Sequence, residues 1–166
     1  MAVLPVEKRA AVILLVNSGM RRGELFNLEW PDVDLLKGVA WITKTKGVVR
    51  TGTGRWVRLT PEMVELLKIM PRHEKDRRVL WQFTGNALTV AFKRAVRKAG
   101  LENLRLHDLR HTFATEIRKA GHGIDLIAQL LGHADLRQSQ IYTHIGREDL
   151  DEAAKAIEGK FGEKIH

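Results

Sequence analysis

Residues 106–114 bring two imidazoles and a guanidinium close together along the chain. On a helix, His107, Arg110 and His111 fall at i, i+3 and i+4, so we expect them to share one face beside the core stripe. An arginine beside two histidines is a poor place for another cation. It is a good place for phosphate, because a guanidinium donates two parallel hydrogen bonds to phosphate oxygens. This spacing therefore predicts an anion site.

Two other interpretations of the same segment remain open. His107 and His111 have the spacing of the zinc-binding HExxH pair, with Asp108 in place of its glutamate. Against a zinc site, aspartate is a shorter base than the motif requires, no third ligand is obvious, and Arg110 lies between the two histidines. His111, taken alone, is better explained as a hydrogen-bonded core histidine than as a catalytic group.

A second segment, residues 127–144, combines apolar residues, a glycine turn and another short helix. That pattern is typical of a helix-turn-helix DNA reader, which would explain a basic chain without any chemistry. Such a reader would need neither His133 at its turn nor Tyr142 inside its second helix. These two side chains favour a catalytic use of the segment.

The elements that would position these residues are predicted from apolar periodicity and turn residues. Thr60 and Pro61 mark one helix start, as N-cap and first helical residue. Three glycines in residues 46–54 suit a long, mobile loop between two strands. Helices are predicted over 6–18, 61–70, 88–98, 107–120, 124–131, 138–144 and 148–159, with a short one starting at 21. Strands are predicted over 38–45, 55–60 and 79–83.

Two apolar stripes predict which helix faces are buried, because their members recur at helical spacing. The first lies on helix 107–120 and the second on the tail. The stripe of helix 107–120 consists of Leu106, Leu109, Phe113, Ile117 and Ala120. The stripe of the tail consists of Leu150, Ala153, Ala154, Ile157 and Phe161.

Length and charge narrow the class of protein. A chain of 166 residues is one domain, and its net charge of +8 indicates an anionic partner, nucleic acid first. Residues 1–120 hold 23 basic and 12 acidic side chains, whereas residues 121–166 hold 5 and 8. The absence of cysteine excludes disulfides and thiolate sites. The longest apolar run, residues 10–16, is far shorter than the roughly 20 residues of a bilayer span, so no membrane partner is expected.

Four short segments together resemble the catalytic domain of the tyrosine recombinase (phage integrase) family. They are Gly-Met-Arg-Arg-Gly-Glu-Leu at 19–25, His-Asp-Leu-Arg-His at 107–111, Leu-Gly-His at 131–133 and Tyr-Thr-His at 142–144. The resemblance covers nearly the whole chain. It implies an α+β fold, mainly α-helical with a small three-stranded antiparallel sheet. The catalytic domain would span residues 1–147 and a tail helix residues 148–166, and the family's N-terminal core-binding domain is expected to be absent.

The same resemblance implies an active site. Tyr142 would be the nucleophile, and a lysine of the strand hairpin would belong to the site. We favour Lys46, which lies eight residues after Gly38, and keep Lys44 as the alternative. The remaining implied catalytic residues are Arg21, Arg110, His107 and His133. The chain departs from the family pattern at Arg58, where proline is frequent, and at Ala134, where serine is frequent.

These residues fit a transesterification of a DNA phosphodiester. Tyr142 would attack phosphorus with His107 as general base, because free tyrosine has a pKa of about 10. Lys46 would protonate the leaving 5′-oxygen. The transition-state charge would be held by Arg21, Arg110 and His133. No metal, ATP or other cofactor is expected, because religation uses the phosphotyrosine bond.

Supporting roles follow from position. Glu24 would orient an arginine, with an exposed first-turn helix residue as its alternative, and His111 would support the site. The basic residues expected to contact phosphates are Lys93, Arg94, Arg97 and Lys98.

Double-stranded DNA is the expected partner, in a cytoplasmic, nucleoid-associated location. We expect the isolated domain to be a monomer and the full-length protein to be a tetramer on paired DNA sites. The tail stripe could be buried on its own domain or on a neighbouring protomer. The alternatives are a type IB topoisomerase-like enzyme that relaxes DNA, and a non-catalytic helix-turn-helix DNA-binding module.

Overall fold

The computed structural model of the chain describes residues 4–46, 49–132 and 147–161. Of residues 44–46, 49–53 and 147 it describes the backbone only. The described part is mainly helical and carries one three-stranded antiparallel sheet, as predicted. Its elements are α1 (Val6–Ser18), α2 (Arg22–Phe26), β1 (Val33–Asp34), β2 (Val39–Lys46), β3 (Val49–Arg58), α3 (Pro61–Ile69), α4 (Gly85–Lys98), α5 (Asp108–Lys119), α6 (Ile124–Leu131) and α7 (Arg147–Ile157).

The sheet has the order β1-β2-β3, and one of its three strands, β1, is not among the predicted ones. The expected strand over 79–83 is absent from the sheet, and the two-residue β1 pairs with β2 instead. Val79 donates its backbone N–H to Leu28 O at 2.9 Å, and Arg78 forms an isolated bridge with Glu29. The apolar character of residues 79 and 80 reflects complete burial in the core.

The hairpin between β2 and β3 also differs from the prediction. Instead of a long loop over 46–54, β2 continues to Lys46 and β3 begins at Val49. Thr43 pairs with Gly54, and Thr45 with Arg50, so β3 carries extra residues opposite Lys44. A β-bulge absorbs such residues without ending the strands, and glycine is tolerated there.

Helix α1 occupies the centre of the core. Every residue from Ala10 to Ser18 is buried, which agrees with the predicted buried helix. It ends at Gly19, whose φ of 63° is left-handed and whose N–H donates to Leu15 O at 3.1 Å. Glycine closes helices in this way because it lacks the Cβ that disfavours the left-handed region.

Side-chain caps set the starts of two helices. Thr60 Oγ1 accepts the N–H of Met63, so α3 starts at Pro61 as predicted. Thr84 Oγ1 accepts the N–H of Ala87 at 3.2 Å, and α4 therefore starts at Gly85, three residues before the predicted 88.

The tail helix α7 packs on its own domain. Ala153 and Ile157 are buried in one apolar cluster with Phe113 and Ile117 of α5. Beyond the helix, the Gly159 N–H donates to Glu62 Oε1 at 2.8 Å. The sequence left open whether the tail stripe is buried on its own domain or on a neighbouring protomer. In the structure it is buried on its own domain. Among the helices of the described ranges, none has the length and apolar character needed to cross a membrane.

Candidate active site

Four charged side chains from three segments meet where α1, β3, α5 and α6 come together. Arg21 and Glu24 belong to the turn into α2, Arg55 to β3 and Arg110 to α5. Arg21 and Glu24 are close because they are three residues apart in the sequence. Only the tertiary fold brings the other two to them, and the resulting cluster holds three guanidinium groups and one carboxylate.

Arg21 lies at the N-cap of α2 and extends toward solvent. Its backbone N–H donates to Glu24 Oε2 at 2.8 Å, which is one half of a capping box. Its Nη1 lies 3.1 Å from Glu24 Oε1, and its side chain remains 45% exposed. Glu24 therefore contacts both the backbone and the side chain of Arg21, while much of the Arg21 side chain stays exposed.

Glu24 is held from the other side by Arg55. Arg55 Nη1 and Nη2 donate to the two Glu24 oxygens at 3.0 and 2.9 Å, a bidentate pair with both side chains about nine-tenths buried. Glu24 is thus not the exposed first-turn residue that was its alternative. Its role in orienting an arginine stays a prediction.

The pKa of Glu24 shows which influence dominates at this pair. Burial alone would raise it, but the hydrogen bonds and charge of Arg55, joined by Arg21, hold the Glu24 pKa below its ordinary value of 4.5. The carboxylate is consequently ionised at neutral pH and neutralises one of the three arginines.

Arg110 is buried, with 5% of its surface exposed. Its Nη1 donates to Gly19 O and its Nη2 to Leu131 O, each at 2.6 Å. Two of its five N–H groups are thereby used, and the other three have no hydrogen-bond partner among the described residues. Burial, and then the charge of Arg21 and Arg55 against that of Glu24, lowers the pKa of Arg110 from 12.5 to about 10. The group stays protonated at neutral pH, in surroundings that disfavour its charge.

The end of α6 is fixed by two arginines. Arg55 Nε donates to Leu130 O at 2.7 Å, and Arg110 Nη2 donates to the next carbonyl, Leu131 O. The last carbonyls of a helix have no partner within the helix, so these bonds complete it. Gly132 follows with a φ of 65°, and a Cβ there would lie 2.7 Å from Arg55 Nη1.

The helical spacing predicted that His107, Arg110 and His111 share one face beside the core stripe, and in the structure these side chains differ in burial. Arg110 points inward, whereas His107 and His111 are exposed and stack edge to face with ring centroids 5.0 Å apart. His107 is the N-cap of α5 and has helical backbone angles, with φ of −68° and ψ of −27°. The exposure of His111 also contradicts its interpretation as a core histidine.

The positions of the side chains around His107 and His111 do not support the zinc interpretation. Within the described ranges no three His, Asp or Glu side chains are grouped as metal ligands would be. Asp108, the glutamate equivalent of that motif, instead accepts the Arg105 N–H at 2.7 Å and pairs with its guanidinium.

Several predicted site residues fall partly or wholly outside the description. His133 and Tyr142 lie outside the described residues, as does the predicted helix over 138–144. Lys46 and Lys44 belong to β2 by their backbone, with Lys46 paired to Val49 at the end of the hairpin. The four basic residues of α4 are all exposed. They are Lys93, Arg94, Arg97 and Lys98.

Arg55 is the residue of this cluster that the motifs did not indicate. Its signal is strand alternation. Val57, two residues along the same strand, is buried, and residues two apart on a strand point to the same face. A buried arginine requires a partner, and Glu24 is the carboxylate that the fold supplies.

The chain matches the model of the phage integrase family over residues 2–148. Tyrosine recombinase XerA of Saccharolobus solfataricus is 36% identical over 145 residues, which cover 87% of this chain and 48% of that protein. The integrase of Salmonella phage P22 is 28% identical over 176 residues, covering 95% and 44%. The chain thus spans about half the length of the curated relatives it matches.

Solved structures show the same likeness. The crystal structure of XerA recombinase superimposes with a TM-score of 0.67 at 30% identity, covering 90% of this chain and 57% of that one. XerH site-specific recombinase bound to its difH substrate, in a pre-cleavage complex, gives 0.63 at 32% identity, covering 90% and 45%.

Proposed function

Because this chain belongs to the phage integrase family, we propose that it is the domain of a site-specific recombinase that cleaves and rejoins DNA. In this proposal residues 1–147 form the catalytic unit and the tail helix is appended to it. Two relatives named tyrosine recombinase are each 36% identical to this chain, and they support the assignment.

The arginine cluster is the observation that carries the proposal. Among the described residues, Glu24 is the one carboxylate near Arg21, Arg55 and Arg110, so two of the three positive charges have no carboxylate to neutralise them there. Burial disfavours the charge of Arg110, and an anion beside it would remove that disadvantage. A scissile phosphate supplies such an anion, with its non-bridging oxygens bound by the free N–H groups of Arg21 and Arg110.

The reaction is a displacement at phosphorus. The Tyr142 oxygen forms a bond to phosphorus while the bond to the 5′-oxygen breaks, which leaves a 3′-phosphotyrosyl link and a free 5′-hydroxyl. Tyr142 is the single tyrosine of the chain, so no other phenol can take this role. Religation reverses the displacement with a new 5′-hydroxyl and needs no external energy source.

Proton transfer is assigned to two further residues, and two histidines assist them. His107, exposed at the start of α5, accepts the tyrosine proton. Lys46, at the end of the hairpin, donates a proton to the leaving 5′-oxygen, with Lys44 as the alternative. His133, one residue after Gly132, donates a hydrogen bond to the phosphate, and His111 supports His107, whose ring it contacts.

DNA is the proposed partner along the basic surface as well. The exposed basic residues of α4 contact phosphates on either side of the cleaved bond. XerH has been solved with its difH substrate, and this relative supports a DNA partner for the present chain. We propose a monomer for the isolated domain and a tetramer for the full-length protein on paired sites.

Covalent capture tests the proposal without knowledge of the target sequence. The chain is incubated with a pool of nicked duplexes randomised around the nick, and protein–DNA adducts are separated on denaturing gels. We expect the wild type to form an adduct and Tyr142→Phe to form none. An adduct of equal yield from Tyr142→Phe would refute the nucleophile, and no adduct from the wild type would favour the DNA-binding module.

The general acid is tested by changing the leaving group. A 5′-thio substrate leaves without protonation, so it should restore cleavage by a variant that lacks the acid. We expect rescue of Lys46→Ala and no rescue of Lys44→Ala. The reverse result would assign the acid to Lys44, and rescue of neither would exclude both.

A further inference from the structure

Arg55 makes three hydrogen bonds that join three separate segments. Its two Nη atoms bind the Glu24 carboxylate at 3.0 and 2.9 Å, and its Nε binds Leu130 O at 2.7 Å. The bonds to Glu24 connect Arg55 with Arg21, which Glu24 also binds, and the bond to Leu130 O connects Arg55 with the end of α6. The residue itself lies on β3, the strand that returns from the hairpin.

Direct binding of DNA phosphate by Arg55 conflicts with its environment. Its side chain is 10% exposed, and both Nη atoms already serve Glu24. The neighbouring Gly132 lies so close that a Cβ on it would fall 2.7 Å from Arg55 Nη1. The guanidinium is therefore enclosed between Glu24 and the α6 end, while the exposed member of the cluster is Arg21.

We infer that Arg55 is a positioning residue for the cleavage reaction. It fixes Glu24, which fixes Arg21, and it ties the hairpin strand to the end of α6 that precedes His133. The inference rests on the proposed function, since it concerns the geometry of that reaction. Lysine cannot replace Arg55, because one ammonium group cannot span two carboxylate oxygens and a carbonyl in a fixed plane.

The test compares Arg55→Lys with the wild type in single-turnover cleavage of a nicked duplex recovered from the pool. At saturating DNA we expect the Arg55→Lys rate to fall about 10- to 100-fold, since small displacements in an active site cost up to ~10² in rate. The Kd for DNA and its salt dependence should stay unchanged. Arg78→Ala, which removes an exposed arginine paired with Asp76, is the control and should cleave normally.

A methylphosphonate at the cleaved position separates positioning from a merely structural role. It replaces a charged non-bridging oxygen by methyl, so the charge that Arg21 stabilises is absent. We expect the rate deficits of Arg21→Ala and Arg55→Lys to shrink together on this substrate. If Arg55→Lys lowers the unfolding temperature too far for assay, Glu24→Gln tests the same link and should behave alike.

Three results would overturn the inference. They are a wild-type cleavage rate for Arg55→Lys, a loss confined to DNA affinity with a shallower salt dependence, and a deficit that persists on the methylphosphonate while that of Arg21→Ala shrinks. A wild-type chain that cleaves no DNA would instead refute the proposed function, on which the inference depends.

Discussion

Arg110 is charged and buried, and this combination has an energetic cost. A pKa lowered to about 10 means that the folded state disfavours its charge relative to water. Its bonds to Gly19 O and Leu131 O offset part of that cost, because hydrogen bonds to charged groups contribute roughly 1.5–3 kcal/mol each. Replacement by an apolar side chain of similar length should thus affect stability far less than catalysis.

Arg110→Met tests this separation. We expect cleavage to fall by about 10²–10³, because a donor to the transition-state charge is lost. The unfolding free energy should change little, since removal of a buried charge compensates for two lost hydrogen bonds. Cleavage assays and thermal melts check both, with Arg118→Met, an exposed arginine of the same helix, as the control. Normal cleavage by Arg110→Met would exclude Arg110 from catalysis.

Glu24→Gln gives a pH-dependent result. The folded-state pKa of Glu24 lies below 4.5, so its ionised form stabilises the fold above that pH, and this stabilisation is lost as pH falls through the folded pKa. Near pH 7 we expect wild type to exceed Glu24→Gln by about 1–3 kcal/mol in unfolding free energy. Denaturant titrations from about pH 7 to about pH 3 should show the difference shrinking below pH ~4.5. A difference that grows on acidification would contradict the ion pair.

Motifs alone indicated Arg21, Glu24 and Arg110, because each lies in a short segment with a characteristic spacing. They did not indicate Arg55, whose function depends on a carboxylate 31 residues away in the chain. The inward direction of Arg110 was also missed, because helical spacing fixes relative angles and not which side of the helix faces the core. Both facts depend on tertiary packing.

Helices were predictable where caps and apolar periodicity agreed. Val6–Ser18 and Ile124–Leu131 have the predicted bounds, and Thr60 caps α3 as expected. The sheet was less predictable. The two residues of β1 are too few to show a pattern. The glycines at 46–54 indicated a loop, although pairing across the bulge keeps residues 49–54 in strand conformation.

The junction after α1 provides a test of close packing. A Cβ on Gly19 would lie 2.6 Å from Phe113 Cδ1, and its φ is 63°. We expect Gly19→Ala to lose roughly 2–5 kcal/mol of unfolding free energy, from left-handed strain and overpacking together. Gly100, with a φ of 68° and nothing within 4 Å of its Cβ position, is the matched control. Thermal melts in which Gly100→Ala costs as much would attribute the effect to strain alone.

At the scale of the whole molecule, α7 packs against the core of the domain. Its Ala153 and Ile157 complete the apolar cluster on α5, and Glu116 and Glu62 bind the segment that follows the helix. The acidic end of the sequence therefore belongs to the same folded unit as the basic part. In the proposed function, the exposed basic residues of α4 form the surface that contacts DNA.

Ile157→Ala tests the packing of α7. Ile157 is 1% exposed, so its truncation should cost about 2–4 kcal/mol. Ile124→Ala is the control, because that side chain is 65% exposed. The melting temperature of the wild type should not vary over a roughly hundred-fold range of protein concentration. A melting temperature that rises with concentration would mean that α7 packs on a second copy.

The most direct test of the proposed function is to locate the covalent bond itself. Trypsin digestion of the captured adduct should give one peptide, residues 138–147, that carries a nucleotide and contains the single tyrosine of the chain. We predict that mass spectrometry finds a 3′-phosphate ester on Tyr142 and that the released strand bears a free 5′-hydroxyl. A nucleotide on any other residue, or a link through a 5′-phosphate, would contradict the mechanism.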